Sequence, residues 1–155
     1  SMPGMNMLVD IGNGTMSILE IHDGRPIENS ISTEVFGVHQ CMEKIQKEVS
    51  KHSGVDVSEM LIEPLLRNGI GDRTDAVAMT TKRVAENYTV EIMKKLTAHG
   101  YREELVHLFI IGGGGCLLKN FFDLTAKSEV TVITDICANA KGYEALAMMK
   151  QRMRG

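Results

Sequence analysis

The hydrophobic pattern changes period along the chain. Met7–Asp10 is a short apolar run that ends on an acid, and Gly12-Asn13-Gly14 follows at once. From Thr15 to His22 the positions alternate, with Met16, Ile18 and Glu20 on one side and Ser17, Leu19 and Ile21 on the other. A period of two is the pattern of a strand. Asp23-Gly24 is a two-residue hairpin signal, and Arg25–Ser32, with Pro26 near its start, offers a third strand. The opening of the chain thus predicts a three-stranded antiparallel meander with two tight turns.

Beyond Val35 the period becomes helical. Val38, Cys41/Met42, Ile45 and Val49 recur at three-to-four spacing, predicting an amphipathic helix to about Lys51 that His52-Ser53-Gly54 ends. Asp56 or Ser58 caps a shorter helix through Leu66, closed by Asn68-Gly69. Asp72–Asp75 opens the longest helix, whose inner face runs Val77, Thr81, Val84/Ala85, Tyr88, Ile92 and Leu96, with Gly100 suited to the position just past its end. Val106–Ile111 is nearly all apolar, as expected of a strand buried on both faces. It runs into Gly112-Gly113-Gly114-Gly115. A helix from Leu117 to about Leu124, a strand at Val130–Ile133 and a helix from about Ala138 to Met153 complete the order β-β-β-α-α-α-β-α-β-α. The expected class is α/β: the meander on one side, two parallel strands reached through helical crossovers on the other, flanked by helices. The chain reads as one domain over residues 7–155 with a helical insertion at about 54–72. Residues 1–6 read as tag or connector.

Composition narrows the class. The 155 residues are 43 % hydrophobic and 24 % charged, with 5 % aromatics and no Trp, which suits an ordinary globular domain rather than a disordered chain. Lys and Arg number 17 against 20 Asp and Glu, a net charge of −3, so no positive field draws nucleic acid. No apolar run approaches the roughly 20 residues of a membrane span. Cys41, Cys116 and Cys137 are odd in number and show no CxxC spacing, which argues against disulfides and zinc and for a reducing cytoplasm. His22, His39, His52, His99 and His107 are scattered without metal-ligand spacing. Most of the 11 Met read as soft core filler, a partner-binding face being the alternative.

Glycine carries the candidate chemistry. In Asp10-Ile11-Gly12-Asn13-Gly14-Thr15, Gly12 and Gly14 allow positive φ and close ligand approach, successive N–H groups can form an anion-binding nest, and Thr15 adds a hydroxyl. An acid at the strand end is placed to hold Mg²⁺ through water or to orient an attacking water. A plain hairpin turn is the alternative, because Asn-Gly alone favours one. Gly112–Gly115, between a buried strand and a helix, lets backbone lie against a ligand at a helix N-terminus. Close strand–helix packing is the alternative there. The tetrad is neither a GxGxxG fingerprint, since Leu117 stands at the third glycine, nor a P-loop.

Three segments in order, Val9-Asp10-Ile11-Gly12-Asn13-Gly14-Thr15, Ile110-Ile111-Gly112-Gly113-Gly114-Gly115 and Ala138-Asn139-Ala140-Lys141-Gly142-Tyr143, resemble the actin-like ATPases. Within these the chain is most similar to the ParM/StbA group of plasmid-segregation proteins. The first segment resembles the family's second phosphate loop, the second its adenosine motif, the third the start of its closing helix. The resemblance implies a ribonuclease H-like half of a two-lobed protein with nucleotide in the cleft between lobes, this being the second, C-terminal half. Were Asp10 in the first phosphate loop, another Asp-x-Gly turn should follow, and Gly69-Ile70-Gly71-Asp72 has the wrong context.

By that resemblance Asp10 faces the metal-bound phosphates as catalytic residue and water-mediated Mg ligand. Gly12, Asn13, Gly14 and Thr15 donate to the β- and γ-phosphates, and Gly112, Gly113, Gly114 and Gly115 meet the nucleoside and α-phosphate. Met16 stands where many relatives have Thr, and Gly115 where Ala is usual. The implied cofactors are ATP (or GTP) and Mg. The implied partners are an N-terminal half, further copies in a filament, and an adaptor protein bound to plasmid DNA, with no direct DNA contact and no membrane. An interaction module with vestigial loops, or an actin-like protein of cell division or pilus assembly, is the alternative. Ribose contacts are expected in the helical insertion, and Lys82 and Arg83 on a solvated helix face.

Overall fold

The computed structural model describes residues 3–127 and 129–133. The expected closing helix at 138–153, with Cys137 and the Asn139–Tyr143 segment, lies outside the described residues. Strands β1 (Met5–Ile11) and β2 (Met16–His22) pair antiparallel with Ile11 opposite Met16. β1 begins earlier than the apolar run suggests, so Met5 and Asn6 lie in the sheet rather than in a connector, and Asn6 is buried. The Asp23-Gly24 hairpin forms as expected, with both residues at positive φ (48° and 77°).

The third strand is where the pattern misleads. It breaks into β3 (Arg25–Pro26) and β4 (Ser32–Glu34), both antiparallel to β2. Between them the chain leaves the ladder: Asn29 takes φ 60°, and the Ser30 hydroxyl donates to the Ile27 carbonyl at 2.8 Å. Pro26 has no N–H to give, and Asn and Ser offer the backbone local bonds that compete with a ladder.

Helices α1 (Val38–Ser53), α2 (Glu59–Asn68) and α3 (Ala76–Ala98) follow. Their ends fall near the expected residues, although Ser58 opens α2 without a side-chain capping bond. Gly54 caps α1 at φ 67°, and Asp75 accepts from Ala78 N at 3.1 Å to open α3. Gly100, at φ 101°, follows the α3 cap residue His99. β5 (Val106–Ile111) then pairs parallel with β1, α4 (Gly114–Phe121) crosses over, and β6 (Val130–Val132) pairs parallel with β5. The sheet order is β3-β2-β1-β5-β6, with β4 also on β2. This is the expected α/β arrangement of meander plus parallel strands.

One face of the sheet makes the core. Met7, Val9, Ile11, Ile18, Leu108 and Ile110 lie under Cys41, Ile45 and Val49 of α1, Ile92 and Leu96 of α3, and Leu117 and Leu118 of α4. Met16, where a hydroxyl was expected from relatives, belongs to this core and is fully buried, so a Thr there would point away from the turn's ligand side. Asp10 alternates with Val9 and Ile11 and so takes the other face, opposite Ser17 and Ile111.

Candidate functional site

The β1–β2 turn and the turn after β5 are neighbours in space, because β1 and β5 are parallel and paired up to Asp10 and Ile111. Both therefore leave the sheet at the carboxyl ends of adjacent strands, where open α/β sheets bind ligands.

The β1–β2 turn is held by α1. Gly12 N donates to Thr15 O at 2.9 Å and closes the turn. Its next carbonyls then accept from the start of the helix: Gly12 O from Val38 N at 3.0 Å, Asn13 O from His39 N at 2.7 Å, and Gly14 O from Gln40 Nε2 at 3.0 Å. In a trans peptide the carbonyl of one residue and the N–H of the next point in opposite directions. Three successive carbonyls fixed toward α1 thus send the Asn13, Gly14 and Thr15 N–H groups away from it. Among the described residues these three amides donate to nothing, and Asn13 and Thr15 are exposed. Successive N–H groups left facing outward in a turn can accept an anion. Neither Gly12 nor Gly14 takes the positive φ that glycine allows in this turn. At Gly14 a Cβ would meet nothing within 4 Å, so neither backbone conformation nor packing requires glycine there.

Gly37, at the α1 N-cap, is the glycine this geometry does require. A Cβ on it would overlap the Asn13 and Gly12 carbonyl oxygens, although its φ is an ordinary −114°. Its own carbonyl accepts from the buried Tyr88 hydroxyl at 2.8 Å, and the Tyr88 ring stacks on Phe36 at 4.2 Å. Burial pushes the Tyr88 phenol well above its ordinary range, so it stays a donor.

The glycine tetrad divides. Helix α4 starts at Gly114, not Leu117, so two of the four glycines are its first turn. Gly112 takes φ 90°, and a Cβ there would lie 2.5 Å from Ile11 O and 2.7 Å from Asp10 Oδ1. A Cβ on Gly114 would run into the Ile11 side chain. Gly112, Gly114 and Gly115 are buried, and Gly115 N and Cys116 N turn back onto Gly112 O and Gly113 O. Strand–helix packing accounts for Gly112 and Gly114. Gly113 alone of the four is exposed.

A cavity of about 340 Å³ joins the two turns. Gly12, Asn13 and Gly113 line one side, Val38 and Met42 of α1 another, and Cys116 and Leu117 of α4 the base. Glu63, Leu66 and Arg67 of α2 close it. Asp10, Gly14, Thr15, Gly112, Gly114 and Gly115 are not on its wall. Asp10 sits beside it, buried between the turns. Glu63 and Arg67 pair with each other, and Asn120 Nδ2 donates to Leu66 O at 3.0 Å and Arg67 O at 2.8 Å, tying α2 to α4. Sequence reasoning placed further contacts in this insertion without naming residues. The signal was there: Glu63 and Arg67 are one helical turn apart and flank the apolar Leu65 and Leu66. Lys82 and Arg83 lie on an exposed face, Arg83 paired with Glu48.

A polar, amide-lined rim beside a mixed pocket suits a ligand that is anionic at one end and flat at the other. Among the described residues no three His, Cys, Asp or Glu side chains gather to hold a metal ion. No described helix is long and apolar enough to cross a membrane.

Comparison with solved structures finds the same fold. The archaeal actin homolog Ta0583 in complex with ADP superposes with a TM-score of 0.64 at 18 % identity, over 86 % of this chain and 45 % of that one. A non-polymerisable quadruple mutant of pCBH ParM gives 0.70 at 21 %, over 96 % and 48 %. Bacillus thuringiensis ParM with ATP gives 0.63 at 14 %, over 87 % and 42 %. The chain thus spans about half the length of these proteins. No curated protein sequence matches it. The profile of one family, the C-terminal domain of archaeal MreB-like actin homologues, matches residues 8–123. That match covers most of the chain and contains both glycine turns, and the chain belongs to this family of actin-like C-terminal domains.

Proposed function

We propose that this chain is the nucleotide-binding C-terminal lobe of a two-lobed, filament-forming actin-like ATPase that acts in plasmid segregation in the cytoplasm. One observation carries the nucleotide reading: three consecutive peptides of the β1–β2 turn present their N–H groups outward, beside a cavity shared with Gly113. Those amides suit phosphate oxygens, and the cavity between α1, α2 and α4 suits the nucleoside. The Ta0583 and Bacillus thuringiensis ParM structures, determined with ADP and with ATP, are of nucleotide complexes. The segregation role rests on the resemblance to the ParM/StbA group, and with it an adaptor protein as the link to DNA.

Asp10 is the carboxylate positioned to hold a nucleotide-bound Mg²⁺ through water, since Mg²⁺ is commonly held by one or two carboxylates plus phosphates and retained waters. The ion would neutralise charge on the phosphates. The chain's own part is to fix the phosphates with Asn13, Gly14 and Thr15 amides and to keep Asp10 beside them. In-line attack on a γ-phosphate needs donors on both sides of it. This lobe supplies one side, so the isolated chain is expected to bind Mg·ATP weakly and to turn over negligibly.

The test is a titration of the ¹⁵N-labelled chain with Mg·ATP, following amide shifts. Perturbation centred on Asn13, Gly14, Thr15 and Gly113 is the expected result. Millimolar nucleotide that leaves those four amides unmoved defeats the reading and leaves an interaction module in its place.

A further inference from the structure

We infer that Gln40 is a positioning residue for the phosphate-facing turn: its side-chain amide holds the Gly14–Thr15 peptide so that the Thr15 N–H faces the ligand. The inference rests on the phosphate reading of that turn. Gln40 is bonded at both ends of its amide. Oε1 accepts from Gly37 N at 2.8 Å, and Nε2 donates to Gly14 O at 3.0 Å. The oxygen and nitrogen are assigned without ambiguity, because Gly37 N–H needs an acceptor and Gly14 C=O a donor.

The two bonds do different work. The first is ordinary N-terminal capping, which Glu or Gln performs at the third helical position. The second leaves the helix and reaches a turn 26 positions earlier in the chain. Of the three pinned peptides, the first two are held by the backbone N–H groups of Val38 and His39, which almost any residue would supply. The third is held by a side chain. Only that one depends on which amino acid stands at the anchor.

Glutamate would satisfy the helix equally, and its charge would suit a helix N-terminus. A carboxylate has no hydrogen to give Gly14 O, however. The choice of Gln over Glu therefore has its reason at the turn. The anchor matters because the Gly14–Thr15 peptide follows a glycine with open space where its Cβ would be, so little else fixes its rotation.

Two variants with opposite side effects test this. Gln40→Glu keeps the bond to Gly37 and adds charge, whereas Gln40→Met adds no charge and loses both bonds. Each ¹⁵N-labelled chain is titrated with Mg·ATP, and the Thr15 amide is also read in the free protein by its shift and its exchange with solvent. Both variants are expected to move the free Thr15 amide and to weaken Mg·ATP about fivefold or more, the worth of one lost hydrogen bond. Gln40→Glu, which loses one bond but gains the charge favoured at a helix N-terminus, should unfold at a higher urea concentration than Gln40→Met, which loses both. Either variant binding within about twofold of wild type overturns the assignment. An unmoved Thr15 amide in Gln40→Glu overturns it even if the wild type binds nucleotide. Wild-type turn amides that ignore nucleotide, while Thr15 responds to the substitution, defeat the phosphate reading and leave the positioning by Gln40 standing.

Discussion

Replacing Gly112 by Ala separates a glycine needed for packing from one that is not. Gly112 sits at φ 90°, and an added Cβ would lie 2.5 Å from Ile11 O and 2.7 Å from Asp10 Oδ1. Neither neighbour gives way easily: one is backbone of a central strand, the other a buried side chain. Left-handed backbone costs a non-glycine residue about 1–2 kcal/mol, and forcing extra volume into a packed site costs about 1–3 kcal/mol. Together they predict a loss of roughly 2–5 kcal/mol, a large part of the roughly 5–15 kcal/mol that holds a domain folded. At roughly 2–4 °C per kcal/mol for a chain of this size, the melting temperature should fall by about 4–20 °C. Gly14→Ala is the control. Its Cβ meets nothing and its φ is not positive, so stability should stay within about 0.5 kcal/mol of wild type or rise slightly as the unfolded chain loses freedom. Urea unfolding followed by circular dichroism at neutral pH measures both. A Gly112→Ala loss below about 1 kcal/mol, or a Gly14→Ala loss above it, refutes the division of the glycines.

Three further outcomes follow from the same geometry. Tyr88→Phe keeps the stack on Phe36 but deletes the bond to Gly37 O, and should cost about 1 kcal/mol in urea unfolding, with a wild-type result showing that the bond contributes nothing. Glu34 is held below its ordinary value of 4.5, first by the hydrogen bond from Lys95 and then by that from His99, each at 2.7 Å. A depressed carboxylate stabilises the fold fully above its unfolded pKa and loses that contribution as pH falls through the folded one. Urea midpoints should therefore drop more steeply below pH 4.5 in wild type than in Glu34→Gln, and parallel curves would count against the cluster. Burial pushes the Cys41 thiol up to about 12, so iodoacetamide should spare it at pH 8 until the chain unfolds, and peptide mapping that finds it modified early would contradict its placement.

The elements, and most of their ends, were legible because they are local. Periods of two and of three to four, Asp23-Gly24, Gly54, Asp75 and Gly100 each act within a few residues of themselves. Where a local rule was outvoted, the cause was also local but subtler: Asn29 and Ser30 drew the third strand out of its ladder. Helix α4 began earlier than its apolar pattern because Gly114 and Gly115 could enter a helix pressed against Ile11.

The sequence by itself determined that two glycine turns end two strands, and that an acid stands beside the first. Tertiary structure decided what those glycines are for. Gly112 and Gly114 are small because β1 lies against them, Gly37 because the Gly12 and Asn13 carbonyls do, and Gly14 for neither reason. It also decided that Gln40, Tyr88, Glu63 and Arg67 belong to the same neighbourhood. No periodicity encodes such meetings. They arise when parallel pairing of β1 with β5 brings α1 and α4 to one end of the sheet, and a peptide's carbonyl, once bound, dictates where the next N–H points.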